Sequence, residues 1–283
     1  MACRIFLRLL AVFGFCLISA LAIGDDEPDP QTTEFPRQLE DVVPWLDAQV
    51  ESVRDLDDYS CIMHVRERLG ELAELTERKF CAKVRHKPFS IFLADLEAKP
   101  SDVWHYLYVE GENEERILVG QDGHYSGSHQ ILRNGYLAKH GRRYCMLEYV
   151  LTQTLTRTRD WLKEELKHGG WNLGAMREVK LGDDQCYVLC LNHPTSPAQA
   201  LEVWWNCEVH LPVRFVKMIA PRGDDVLQLI EDYTYLKVKP DCALTDEDFD
   251  ERNPDYFFHP PRSRRNPVCE AGTSDRLDSE VSR

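Results

Sequence analysis

Between Tyr59 and Val238, apolar side chains recur at every second position in a succession of short runs. A period of two is met by extended strands with one buried face. In the first run Tyr59, Cys61, Met63 and Val65 point one way, while Ser60, His64, Arg66 and Arg68 mostly point the other. Phe80, Ala82 and Val84 then alternate with Lys79, Lys83 and Arg85, and Leu69-Gly70-Glu71 between the two runs reads as a hairpin turn. Further strands are predicted at 89–96, 104–109, 116–119, 176–181, 185–192, 200–205, 213–219 and 226–238. Gly123 and Gly127 mark a loop after the fifth strand.

Two stretches break this period. Over residues 37–56, Leu39, Val42, Val43, Leu46, Val50 and Val53 recur at helical spacing, and Pro44 inside the stripe must either kink the helix or mark its first turn. From Leu147 to His168, Val150, Leu151, Leu155, Trp161, Leu162 and Leu166 predict a second helix, which Gly169-Gly170 ends. The layout is therefore helix, strands, helix, strands. It predicts an α+β fold in which one strongly curved antiparallel sheet, an open half-barrel, carries two helices against its concave face.

The chain start is expected to be a secretory signal peptide. Arg4 and Arg8 precede 15 uncharged residues from Leu9 to Ile23, and Ala20-Leu21-Ala22 matches the small-x-small cleavage pattern. A membrane span needs roughly 20 apolar residues, whereas this run meets Asp25, Asp26 and Glu27 at once. Phe15 before Cys16 argues against a lipidated start. The expected organisation is a signal peptide at 1–22, an acidic disordered segment at 23–35, one β-rich domain at 36–258 and a disordered tail at 259–283. The net charge of −14 becomes more negative once Arg4 and Arg8 are cleaved away. Such a surface repels nucleic acid and anionic membranes, since nucleic-acid affinity is mostly phosphate neutralisation.

Eight cysteines remain beyond the signal, at positions 61, 81, 145, 186, 190, 207, 242 and 269. An oxidising compartment permits bridges among them. If the first hairpin turns near Gly70-Glu71, Cys61 and Cys81 stand opposite each other. Cys186 and Cys207 are candidates of the same kind across the hairpin around Pro194-Thr195-Ser196-Pro197. Cys186-x-x-x-Cys190, the close pair, lies within a predicted strand, so no metal site is expected.

Screens for catalytic chemistry return little. His124, His129 and His140 lie in or near a Gly/Ser-rich stretch without the i, i+4 spacing of a zinc hydrolase. Asp246-x-Asp248-x-Asp250 opens like a calcium loop, but Glu251 and Phe257 occupy the positions that need glycine and glutamate. Thr245-x-x-Asp248 is better read as a capping box that starts a short helical turn. Ser126 has no nucleophile elbow around it. The adjacent acids Glu114-Glu115 and Asp183-Asp184 diverge into solvent. The chain is read as a non-enzyme without a cofactor.

What remains is an excess of large apolar residues for a sheet with one buried face. Trp104, Tyr106 and Tyr108 share one face of a strand, with His105, Leu107 and Val109 on the other; Trp204 and Trp205 point to opposite faces. A sheet apolar on both sides is either covered twice or encloses a cavity. The cavity reading nominates Ile91, Leu93, Trp104, Tyr106, Tyr108, Trp204 and Trp205 as lining, with Val150, Leu155 and Leu162 from the covering helix.

The runs LDDYSCIMHVRER at 56–68, KVRHKPFSIFL at 83–93, YVEGENEERILV at 108–119 and YTYLKVKPDCALTDEDFDERNPDYFF at 233–258 together resemble domain of unknown function 1571, a family of exported bacterial proteins. The likeness extends over about residues 38–258. The resemblance implies a layout similar to lipoprotein carriers of the LolA/LolB type, in which helices plug the apolar cavity of an unclosed sheet, and it carries over no catalytic residue. The expected function is an exported, periplasmic or extracellular binding protein for a lipid or lipoprotein acyl chain. The alternative is a cell-envelope structural or interaction module with a filled core and no ligand. Neither reading needs nucleic acid, nor insertion in the membrane after cleavage.

Overall fold

The computed structural model describes residues 35–70, 73–97, 103–121, 129–139, 141–194, 198–221 and 226–259. The expectations for the signal peptide, Gly123, His124, Ser126, Gly127, His140 and Cys269 lie outside them. A single 3-10 turn leads into α1 (Val42–Arg54), followed by β1 (Asp58–Arg68), β2 (Leu75–His86), β3 (Phe89–Asp95), β4 (Trp104–Val109), β5 (Arg116–Gln121) and β6 (His129–Leu132). The one-turn helix α2 (Tyr136–Lys139) and a 3-10 turn at Met146–Tyr149 precede α3 (Leu151–Glu165). Then come β7 (Asn172–Leu173), β8 (Arg177–Leu181), β9 (Asp184–His193), β10 (Gln199–Asn206), β11 (Leu211–Ile219) and β12 (Gln228–Pro240). Pro44 is the third residue of α1, so the first-turn alternative is the one realised: its missing N–H falls where a helix has no acceptor to offer.

All twelve strands join one antiparallel sheet in the order β6-β5-β4-β3-β2-β1-β12-β11-β10-β9-β7, with β8 beside β9. The sheet does not close into a barrel, and the expected α+β open half-barrel is what forms. Its central seam pairs β1 with β12, setting Met63 opposite Tyr235 and Val65 opposite Tyr233. Registers on either side extend one apolar face across the sheet. Met63 meets Phe80, Ala82 meets Leu93, Leu93 meets Tyr106 and Tyr106 meets Val119 on one flank. On the other flank Tyr233 meets Phe215, Phe215 meets Val203 and Val203 meets Leu189.

The helices lie on this concave face. The Leu151 N–H donates to the Tyr59 hydroxyl at 2.9 Å, and the Tyr235 hydroxyl donates to the Tyr149 carbonyl at 2.5 Å with Thr154 Oγ1 at 2.8 Å. These bonds fix the start of α3 over the central seam. Below it, the buried Glu67 carboxylate accepts the Tyr149 hydroxyl at 2.7 Å, the Tyr233 hydroxyl at 3.3 Å and the Arg143 N–H at 3.0 Å. α1 packs along α3 and is joined to it by the Asp47–Arg159 ion pair.

The convex face of β2–β5 is also covered. Residues after β12 run back across it, and Phe249, Tyr256 and Phe258 bury Phe92, Leu107, Val109 and Leu118. The Phe92 and Tyr256 rings stack at 3.8 Å. The buried Asp58 carboxylate anchors this segment by accepting the N–H groups of Cys242 at 2.6 Å and Leu244 at 2.8 Å. Lys83 to Asp248 at 2.7 Å and Arg85 to Asp246 at 2.6 Å add ion pairs. Thr245 and Asp248 form the expected capping box at the head of a 3-10 turn, Asp246–Phe249.

Neither nominated disulfide forms. In the β1–β2 register Cys61 faces Ala82 and Ile62 faces Cys81, one residue away from the expected pairing. That slip sends the two side chains to opposite faces. Cys61 lies on the concave side and is free, while Cys81 packs in the convex cluster with Phe92. In β9–β10 the residue opposite Cys186 is Asn206; Cys207 has passed into the following turn, its N–H donating to the Gln185 carbonyl at 2.9 Å. Both thiols are free.

Candidate functional site

The concave face is sealed on one flank and open on the other. Over β3–β5, Ile91, Leu93 and Tyr108 are fully buried, and Tyr106 is largely buried. The connection from β6 to α3 closes this flank: Arg142 lies over the Tyr106 ring at 5.6 Å and Arg133 over the Tyr108 ring at 5.4 Å. Val150, Leu155 and Leu162 are also buried, at the α3 underside. Trp104 is half-buried at the start of β4. Trp205 is buried beside the His210 ring at 5.3 Å, whereas Trp204 turns to the convex face, where Arg214 covers its ring at 4.5 Å.

A cavity of about 610 Å³ opens instead over β10–β12, beneath the outer half of α3. None of the ten nominated side chains lines it. Leu201, Phe215, Lys217, Glu231 and Tyr233 form the floor, Arg157, Asp160, Trp161 and Glu164 the helix wall, and Tyr144 and Glu148 the near end. Its shape follows from the helix: α3 is pinned to the seam at its N-terminus, while Trp161, nearly three turns on, stands over the Lys217 ammonium of β11 at 3.8 Å.

The aromatic lining is clamped by cations. Arg157 lies over the Tyr144 ring at 3.7 Å and the Tyr233 ring at 5.3 Å, and it donates to the Glu148 carbonyl at 2.9 Å. Burial pushes the Tyr144 hydroxyl up to about 12, with the Glu231 charge adding to the shift, so it stays protonated at neutral pH. Burial also pushes the Lys217 ammonium below the usual lysine range. The lining contains no histidine or cysteine. Of its threonines, Thr158 donates its hydroxyl to the Thr154 carbonyl at 2.8 Å.

The other nominated polar residues are scattered. His129 is exposed on the edge strand β6, opposite Val119, and Asp246 is held by Arg85. Of three cavity residues the sequence reading passed over, Arg157, Lys217 and Glu231, the two on strands carried one available signal. Lys217 follows Phe215 by two, and Glu231 precedes Tyr233 by two, so each places a charge at an inward position of a strand.

The family model described as protein of unknown function DUF1571 matches residues 56–258. The chain belongs to this family. No curated protein matches it in sequence. Among solved structures, the Mycobacterium tuberculosis lipoprotein LppX aligns at 14% identity and a TM-score of 0.41, covering 75% of this chain and 99% of LppX. LprF from Mycobacterium bovis aligns at 10% identity and a TM-score of 0.39, covering 74% of this chain and 96% of LprF. The MucA/MucB complex structure of Pseudomonas aeruginosa aligns at 15% identity and a TM-score of 0.41, covering 74% of this chain and 60% of the matched chain. These values are too low to transfer a ligand or an activity.

Proposed function

We propose that this DUF1571 protein is an exported, non-enzymatic binding protein that takes the acyl chain of a lipid or lipoprotein in the cavity beneath α3. The observation that carries this reading is the 610 Å³ space walled by Tyr144, Trp161, Leu201, Phe215 and Tyr233. Small-molecule sites are concave, mostly apolar and about 300–1,000 Å³ in volume. A longer chain would extend between α3 and the sheet by displacing Leu162 and Leu155, towards Val150 and the concave-face residues Ile91, Leu93, Tyr106 and Tyr108. Trp104 and Trp205 would flank that path, while Trp204, on the convex face, would not. The signal-peptide pattern is the support for export. Among the described residues, no helix is long and apolar enough to cross a membrane.

The second reading, a filled-core module of the cell envelope, draws on the closed flank over β3–β5. Native mass spectrometry of protein secreted by a bacterial host separates the two. An acyl-ligand adduct that disappears on denaturation and organic extraction is the expected result. A bare chain that also fails to bind a fluorescent fatty acid would leave the filled-core module.

A further inference from the structure

Six charged side chains line the cavity, and their partners divide them. Glu148 accepts the Cys145 N–H at 2.7 Å, Asp160 accepts Arg159 Nε at 2.6 Å and Glu164 accepts Lys167 Nζ at 2.7 Å. Glu231 lies 3.4 Å from Arg143 Nε and accepts the Tyr144 hydroxyl at 3.3 Å. Every carboxylate is thus engaged by a donor of the protein. The two cations are not matched in the same way. Among the described residues, neither Arg157 nor Lys217 has a carboxylate within the 4.0 Å of an ion pair. Both spend their charge on aromatic rings, Lys217 on Trp161 and Arg157 on Tyr144.

The placement of Lys217 sharpens the contrast. Glu231 is its cross-strand partner on β12, yet that carboxylate turns to Arg143 and Tyr144. The ammonium therefore stays half-buried at the cavity floor with a π face as its named contact. Burial disfavours its charged form; the fields of Glu231 and Glu165 partly offset that, and Arg143 opposes them. An incoming anion would restore what burial takes away. Arg157 uses part of its five-donor fork on Glu148 and Thr154 and retains further N–H groups.

Resting on the reading of this cavity as a ligand site, we propose that it selects an amphiphile by an anionic headgroup. Lys217 and Arg157 pair with the headgroup oxygens, while Trp161, Phe215 and Tyr233 hold the apolar chain. The recognised chemistry is an oxyanion on an alkyl or acyl chain. A fatty-acid carboxylate and a lipid phosphate both supply it.

Isothermal titration calorimetry on the secreted full chain tests this with four twelve-carbon probes below their micelle concentrations: dodecanoate, dodecyl phosphate, dodecanol and dodecylamine. The expected result is that an anion binds at least about tenfold tighter than dodecanol, and dodecylamine more weakly than either, as charge-assisted bonds in a desolvated site require. The tighter of the two anions identifies the source as fatty acid or phospholipid. Lys217→Met and Arg157→Gln should each collapse the ratio of anion to alcohol affinity, and Lys217→Arg should restore it. Equal binding of dodecanol and both anions would overturn the headgroup proposal and leave the acyl-binding reading intact. So would a ratio preserved in both Lys217→Met and Arg157→Gln. Failure of all four probes to bind would end both.

Discussion

Asp232 is 1% exposed on the convex face of β12, between two guanidinium groups. Arg214 donates to it at 3.1 and 2.8 Å, Arg66 Nε at 3.2 Å, and the Thr234 hydroxyl at 2.9 Å. Burial alone raises a carboxyl, but the hydrogen bonds and charges of Arg214 and Arg66 outweigh it, so Asp232 lies below the usual carboxylate range. A folded value below the unfolded value of about 3.9 means that this stabilisation is complete above roughly pH 4. It is lost as pH falls through the folded value. Asp232→Asn should cost about 3 kcal/mol at pH 7, since it leaves two buried cations without a counter-charge. In urea titrations the gap between wild type and variant should narrow below about pH 4; a constant gap would place the acid sensitivity elsewhere. At this scale little was legible in advance. Arg66, Arg214 and Asp232 come from three strands, and only the register of β1, β12 and β11 brings them together.

At the scale of elements, alternation predicted the long strands and helical spacing the two long helices, because each pattern is local. Strand boundaries fall within a few residues of those read from sequence, as with Gln185 to Asn192 against Asp184–His193. Register is a different quantity. A turn centre misjudged by half a residue moves the pairing by one, which is why Cys61 and Cys81 part to opposite faces. β6 was missed because its four residues are mostly exposed and carry little alternation. The convex cover was missed because Phe249, Tyr256 and Phe258 follow neither a period of two nor one of 3.6. That cover explains Gly120: a Cβ there would stand 2.5 Å from the Phe257 carbonyl oxygen. Backbone cannot yield as a side chain tip does. Gly120→Ala should lift the segment and cost about 2 kcal/mol, as overpacking does, and limited proteolysis should then release a fragment ending near residue 240. An uncleaved variant of unchanged stability would show that the contact relaxes at no cost.

For the molecule as a whole, one sheet serves two different covers. Helices occupy the concave side and leave a cavity of about 610 Å³ over β10–β12; the segment after β12 occupies the convex side of β2–β5, where it buries Phe92 and Leu107 and leaves a smaller space of about 380 Å³ beside Leu107, Leu118 and Phe249. The apolar excess seen in the sequence is therefore divided between two-sided burial on one flank and a lined space on the other. Ending the chain after Pro240 should expose Phe92, Leu107, Val109 and Leu118 as one patch, raising the fluorescence of a hydrophobic dye and lowering the melting temperature. Dye binding equal to that of the intact chain would mean that the face finds another cover. The seam between β1 and β12 also bears on how such a chain is made. The strands that meet at the middle of the sheet are the first and the last to leave the ribosome, so neither half can be joined before Pro240 emerges. Through nearly all of its synthesis the polypeptide lacks its central pairing, and an unfinished sheet is a chain that can still be threaded.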